Sequence, residues 1–492
     1  MPAMYLTSTN LDFYPKSLLM QDGVEYGLAK TPAGNRLAVL TYPENEVLKT
    51  FIGEHSEQGP LTLLLCPLTA HNASILRARV AWLRPRLLGL KTSVGMGDRL
   101  GLATPGHIRA VHMAKGIVAP VFAQQSMREM ARTGRSPQQV VDDATWGVFQ
   151  EGWQAGFGAD ADHLKTPQDI EACLAADFTF FTIDPGAYVD NRAHSSDLGM
   201  LRQLAESLPE VMQPRTSGLS DKQFDIEGLK IYFDELTLLK CAVKYGKAVA
   251  HVAAMYHHLV RCAGQRPFEL EVSVDETDQP TSHAEHIYIA SELERLGVRW
   301  VSLAPRYVGR FEKGVDYIGD LKAFEADFAG HADIARQLGP YKLSLHSGSD
   351  KFSIYPVAMR LSRGMVHLKT AGTSYLEALR TIAELDVDLI REIYVFARQR
   401  YETDRASYHV SAQVTNAPQG ENVTDWPGLL DQFDAREILH VTFGSVLTDK
   451  KPDGDWRFYD RFINILRANP EAYASNLDRH FRRHLKPFLG GK

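Results

Sequence analysis

Cysteine is scarce in this sequence, and its placement excludes the usual reasons for keeping it. Among 492 residues there are four, Cys66, Cys173, Cys241 and Cys262, with no CxxC pair. That spacing argues against a zinc–thiolate site or a disulfide framework and fits reduced core residues of a cytoplasmic protein. No long basic run occurs and the net charge is −6, so neither nucleic acid nor an anionic membrane is expected as a partner. Long apolar runs are missing too: the longest aliphatic stretch, LTLLLCPL (61–68), is far too short to cross a bilayer and suits a buried strand. The start, MPAMYLTSTN, has no basic stretch followed by an apolar core, so no secretory leader is expected. GxxxxGK[ST] and GxSxG are absent, and the glycines of VGMGDRLG miss the spacing of a dinucleotide loop, which leaves a structural turn.

What is present is a rhythm. Hydrophobic residues make up 44% and charged residues 23%, enough apolar material for a sizeable soluble core. Residues 1–88 alternate short apolar runs with helical stretches and read as a small N-terminal α/β lobe. From there eight strand-like runs alternate with helical sequence: SVGMGDRL (93–100), IVAPVFAQQ (117–125), GFGADADHLK (156–165), FTFFTIDPG (178–186), FELEVSVDET (268–277), RWVSLAPR (299–306), YKLSLHSGSD (341–350) and MVHLKTAG (365–372). Eight strands interleaved with helices predict a (β/α)8 TIM-like barrel over 89–450. The irregular stretch at about 186–266 is accounted for by an insertion above the barrel or by a miscounted strand. A helical C-terminal extension over 451–492 follows, and its basic end, HFRRHLKPFLGGK, reads as a solvated face.

Several of these runs finish in polar residues at the same end, among them Asp162, His163, Asp184, Asp275, Arg306, His346 and Lys369. Barrel enzymes place their chemistry at the C-terminal ends of the strands. In FELEVSVDET the apolar residues share one face, so Glu269, Glu271, Ser273 and Asp275 point into the barrel. The same test turns Lys342, Ser344, His346, His367 and Lys369 inward. In GADADHLK it conflicts with itself, since His163 and Asp162 fall on opposite faces; Asp162 is expected from a turn at an irregular strand end. Two histidines at one barrel mouth are either packed side chains or, with a carboxylate, an open divalent-cation site, and spacing alone leaves both readings standing. HSGSDK offers hydroxyls, a lysine and free amides to a polyol anion.

GDRLGLATPGHIRA (97–110), FAQQSMREMARTGRSP (122–137), DDATWGVFQEG (142–152), GADADHLK (158–165), SVDET (273–277), LAPRYVGRFEKGVDYIGD (303–320), YKLSLHSGSDKFSIYP (341–356), HLKTAGTSYLEA (367–378) and HVTFGSVL (440–447) together resemble the tagaturonate epimerase family of hexuronate catabolism. The resemblance implies interconversion of D-tagaturonate and D-fructuronate with one divalent metal cation (zinc, nickel, manganese or cobalt), with Asp162 as proton acceptor and Glu271 as proton donor. It implies His163, Glu312 and His346 as metal ligands. The two substrates differ only at C4, whose C–H is β to the C2 ketone, so direct deprotonation gives an unsupported anion and a retro-aldol route is easier. Asp275 and Ser347 are expected at the substrate, and Lys165, Arg306, Lys351 and Lys369 are candidates for its carboxylate, with Lys351 the freest to reach outward. Alternatives are C4 epimerisation of the neutral ketohexoses D-fructose and D-tagatose, and a metal-dependent aldolase. A small-molecule hexuronate or ketohexose is thus the expected partner, and a homo-oligomer is left open.

Overall fold

The computed structural model of the chain describes residues 5–32 and 34–489. The first four residues of MPAMYLTSTN and the last three of HFRRHLKPFLGGK lie outside them. Near the N-terminus, six strands form an antiparallel sheet around the hairpin Val24–Thr31/Gly34–Thr41, with Leu61–Pro67 and Glu54–Gln58 beside it. Alternation in RLAVLTY decides its faces: Leu37 and Val39 join the large core, whereas Ala38 and Leu40 pack with Phe13, Leu61 and Leu63 in a small second cluster. The helix Ala70–Arg79 docks this lobe on the barrel helix Pro137–Glu151, where buried Arg77 meets Asp142 at 2.6 Å.

All eight expected runs form strands, and these close into one parallel barrel. We number them β1 (Ser93–Gly95), β2 (Ala119–Ser126), β3 (Gly158–Leu164), β4 (Phe180–Ile183), β5 (Glu269–Val274), β6 (Ser302–Pro305), β7 (Lys342–Leu345) and β8 (Val366–Lys369). The ring closes by pairing of β8 with β1, His367 lying opposite Ser93. Outward residues such as Leu270, Val272, Leu343, Leu345, Val366 and Leu368 are buried against the surrounding helices. Barrels of this kind usually fill their interior with branched aliphatics. Here the interior carries Asp160, Thr182, Glu271, Ser302, Lys342, His367 and Lys369, all buried.

No strand was miscounted. The stretch between β4 and β5 contains the barrel's own crossover helix, Glu235–Ala263, which packs on the helices Pro167–Ala175 and His283–Arg295. Only the part before it is an excursion; it leaves from the strand end at Gly186, beside Asp184, and reaches toward the opposite end of the barrel. Its hairpin turn places Glu227 against Arg336 and Arg363, near the end of the barrel where the strands begin, and Val211 accepts a hydrogen bond from Arg295 at the same end. The C-terminal region is helical as expected, but its basic end is only half solvated. In the helix Pro470–Leu485 every third or fourth residue turns inward, burying Leu477, His480, Phe481, His484 and Leu485 while Arg482 and Arg483 stay exposed. No described helix is long and apolar enough to cross a membrane.

Candidate active site

The conflict in GADADHLK is resolved by a β-bulge. Ala161 pairs with Phe181 and Leu164 with Ile183, so Asp162 and His163 together stand opposite the single residue Thr182. His163 takes a left-handed backbone (φ 53°) to do this. Asp160, Asp162 and His163 are thereby all directed inward, and the small Ala159 and Ala161 pack outward. The expected turn is a bulge within the strand.

Lys369, at the end of β8, organises the carboxylates below the mouth. Its ammonium lies 2.6 Å from Asp162, 3.0 Å from Asp160 and 2.8 Å from Glu271, and donates to Thr182 Oγ1 at 2.7 Å. Its three N–H donors are fully engaged, and the surrounding charge raises its pKa in spite of burial. Glu271 is completely buried; it accepts hydrogen bonds from Ser302 Oγ (2.6 Å) and His346 Nε2 (2.7 Å). Burial alone would push its carboxyl up, but Lys369 and then His346 outweigh burial and hold it well below the ordinary range.

His346 is held from its other side by Asp275, whose Oδ1 lies 3.3 Å from Nδ1. Burial disfavours its charged form, yet Asp275 and Glu271 push it up to about 10. His163 faces His346 with ring centroids 5.1 Å apart and meets Asp184 at 3.2 Å. Against burial, Asp162 and the Asp184 hydrogen bond push it up to about 9. The site therefore favours positive charge between these rings. Asp162, His163 and His346 each place a ligand atom within 4.8 Å of the other two. Two imidazoles and a carboxylate in a field that attracts cations fit a divalent metal.

Two joined chambers open over this floor. The deep one is lined by Asp162, His163, Lys369 and His440; the outer one, about 350 Å³, by Asp275, Arg306, Arg310 and Glu312. Arg128, Lys313, His346, Ser347 and Tyr408 line both. Glu271 lines neither, standing behind His346 and Lys369. Gly372 makes room for the deep chamber's wall, since a Cβ there would fall 1.8 Å from His440 Nε2.

A family model described as tagaturonate epimerase matches residues 14–488. The chain belongs to the tagaturonate epimerase family. It is 42% identical over 477 residues, 96% of each chain, to the tagaturonate/fructuronate epimerase of Thermotoga maritima. The fructuronate-tagaturonate epimerase of Cohnella laeviribosi has the same fold: its native crystal structure aligns with a TM-score of 0.91 at 37% identity, and a glycerol complex with 0.92 at 36%. Each covers 99% of this chain and 98% of the other.

Within this family member, the expected site residues divide clearly. Asp162, His163, Asp275, His346, Ser347 and Lys369 converge on the chambers, with Glu271 directly below. Glu312 lies in the outer wall, where its carboxylate accepts hydrogen bonds from the backbone and hydroxyl of Ser411 at 2.8 and 2.7 Å; it is not in the cluster formed by Asp162 and the two histidines. Lys165 is half exposed and pairs with Asp184 at 3.1 Å. The freedom expected of Lys351 is absent. Its ammonium is fully buried and donates to the carbonyls of Glu312, Val315 and Ser349, tying two loops together. Arg306 lines the outer chamber with no side-chain partner among the described residues. Sequence reasoning missed Lys313, Arg128, Tyr408 and His440. Arg128, in SMREM, stands directly after a barrel strand, and strand-end position is the signal that could have found it; Lys313, in GRFEKG, lies on the loop eight residues beyond Pro305 and carries no such signal. Burial pulls Lys313 below the ordinary ammonium range.

Proposed function

We propose that this chain interconverts D-tagaturonate and D-fructuronate by inverting C4, with residues 89–450 as the catalytic unit of a cytoplasmic enzyme. The observation that carries the reading is one buried ammonium, Lys369, holding Asp162 and Glu271 at 2.6 and 2.8 Å at the floor of the two joined chambers, the outer of which is about 350 Å³. Family membership supports it, as do the names of the relatives in Thermotoga maritima and Cohnella laeviribosi. Four free cysteines, three of them buried, suit a reducing compartment.

Asp162 lines the deep chamber and is the group placed to take the C4 hydroxyl proton. Loss of that proton lets C3–C4 break, leaving an aldehyde at C4 and an enediolate across C2 and C3. Rotation of the aldehyde and re-formation of C3–C4 on its other face invert the centre, after which the new C4 oxygen takes a proton back. Glu271, held ionised, serves that return by fixing the donor: the proton leaves the Lys369 ammonium that its carboxylate touches at 2.8 Å, and Lys369 recovers one from Asp162, 2.6 Å away. His163 and His346 would hold the divalent metal, with Glu312 in the neighbouring wall as the carboxylate, which leaves Asp162 to act as base; bound there, the ion would supply Lewis acidity at the substrate's C2 and C3 oxygens. When His346 is engaged by a metal, Lys369 remains as the contact between Glu271 and the chamber.

The test is to incubate metal-loaded enzyme with D-fructuronate and with D-fructose and resolve the C4 epimers. Formation of D-tagaturonate, with weaker conversion of D-fructose, is expected. Accumulation of free three-carbon products in place of an epimer would make the protein an aldolase.

A further inference from the structure

The charges around the outer chamber do not balance. Arg128 pairs with Glu276 at 2.9 Å, Arg310 with Glu312 at 3.4 Å, and Asp275 with His346 at 3.3 Å. Two cations remain. Lys313 donates one hydrogen bond, to Ser347 Oγ at 2.5 Å, and among the described residues no carboxylate oxygen lies within 4.0 Å of its ammonium. Arg306 has no side-chain hydrogen bond or ion pair among them. Both are partly buried, and a charge drawn out of water without an ion-pair partner is costly, so a protein keeps one where a ligand brings the opposite sign.

Other lysines near the site are already committed. Lys369 spends its donors on three carboxylates and Thr182; Lys351 spends its own on three carbonyls; Lys165 is taken by Asp184. Position separates the remaining pair. A hexuronate carboxylate at C6 is two bonds from C4, so with C4 beside Asp162 the carboxylate cannot leave the neighbourhood of the deep chamber. Lys313 lines both chambers and Arg306 only the outer one. Ser347, held at φ 48° beside His346, adds a hydroxyl within reach of the same anion.

We propose that Lys313 is the residue that binds the substrate's C6 carboxylate, with Ser347 beside it and Arg306 as a weaker outer partner. This assignment rests on the hexuronate reading above and adds to it the group that separates acidic from neutral ketoses. It replaces Lys351, whose ammonium faces the protein.

The experiment compares wild type, Lys313→Met, Lys313→Arg and Arg306→Gln on D-fructuronate and D-fructose. Lys313→Met is expected to lose about ten- to a hundredfold in kcat/KM on D-fructuronate, the worth of a charge-assisted hydrogen bond to a carboxylate, and to stay nearly unchanged on D-fructose. The loss should fall mainly on KM, since the carboxylate does not react. Lys313→Arg should recover most of it, and Arg306→Gln should lose less than Lys313→Met. If Lys313→Met melts early and cannot be assayed, Lys313→Gln carries the same expectation. Equal losses on both substrates, or an unchanged KM for D-fructuronate, would overturn the assignment while leaving the epimerase reading intact. A wild-type enzyme inactive on D-fructuronate would instead overturn the reading on which the assignment rests.

Discussion

His346 and Asp350 are four residues apart in HSGSD, and each sits in a cluster of buried histidines and carboxylates, yet the clusters do opposite things. His346 faces the chambers, with His163, Asp162, Glu271 and Asp275 around it. Asp350 faces away, into the helical C-terminal region, where Arg436 (2.9 Å) and His480 (2.6 Å) meet its carboxylate and its backbone N–H donates to His484 Nε2. The side-chain atoms offered are similar enough that each group of three could hold a metal by distance alone. What differs is open space. The first cluster borders a cavity and keeps a field that attracts cations; the second is filled by Phe352, Tyr355 and Phe481, and Asp350 is already neutralised by an arginine. Composition marks both clusters; only volume and unmet charge mark a site.

The comparison breaks most decisively through the metal. Chelation should abolish turnover, with a divalent transition metal restoring it, and His346→Ala should lose bound metal while remaining folded. Full activity in protein shown by elemental analysis to be metal-free would remove the metal from the first cluster. Next come the two carboxylates. Asp162→Asn and Glu271→Gln nearly preserve shape, so turnover should fall by roughly two to four orders of magnitude with folding intact. In the second cluster the effect moves to stability: Asp350→Asn should cost about 3–5 kcal/mol in thermal or denaturant unfolding, because it strands Arg436. Its kcat, measured where the variant is folded, should be close to wild type.

Acid separates the clusters by sign. Burial, opposed by Asp350, pulls His484 down to about 3 from an ordinary 6.5. Its contribution to stability is complete above pH 6.5 and is lost as pH falls from there toward 3, at about 1.4 kcal/mol per pH unit where the linkage is full. His286, also pulled down to about 3 by burial, adds to this slope. In metal-free protein His346 has the reverse sign: pushed up to about 10, it stabilises fully below pH 6.5, and this is lost as pH rises through 10. Melting curves across pH should show His484→Gln flattening the acid limb and leaving the alkaline one. The smallest effect belongs to Lys165→Met. Its pair with Asp184 is half exposed, worth about 0–1 kcal/mol, so kcat/KM should change severalfold at most.

Much of this molecule was legible in its sequence, for definite reasons. The eight barrel strands could be placed because their outward faces are apolar and their ends polar, a pattern with the period of the strand itself. Glu271, His346 and Lys369 followed from that alternation alone. The bulge at Asp162–His163 was visible only as a contradiction, since a local slip of one residue breaks the alternation without a composition mark. Loop residues carry no period at all: Lys313 and Glu312 are adjacent in sequence, and nothing local says that one meets Ser347 and the other Ser411. Lys351 failed because its direction is set by carbonyls of a distant loop. The buried side of HFRRHLKPFLGGK has helical period, but it is masked by histidines that become core residues once Asp350 is beneath them.

The most direct test follows D-fructuronate in D2O by proton NMR with wild type and Asp162→Asn. The account predicts D-tagaturonate that keeps protium at C4 from the wild type and almost none from the variant. Deuterium at C4 would contradict cleavage and re-formation of C3–C4, and undiminished conversion by Asp162→Asn would contradict the placement of the reaction at this barrel mouth.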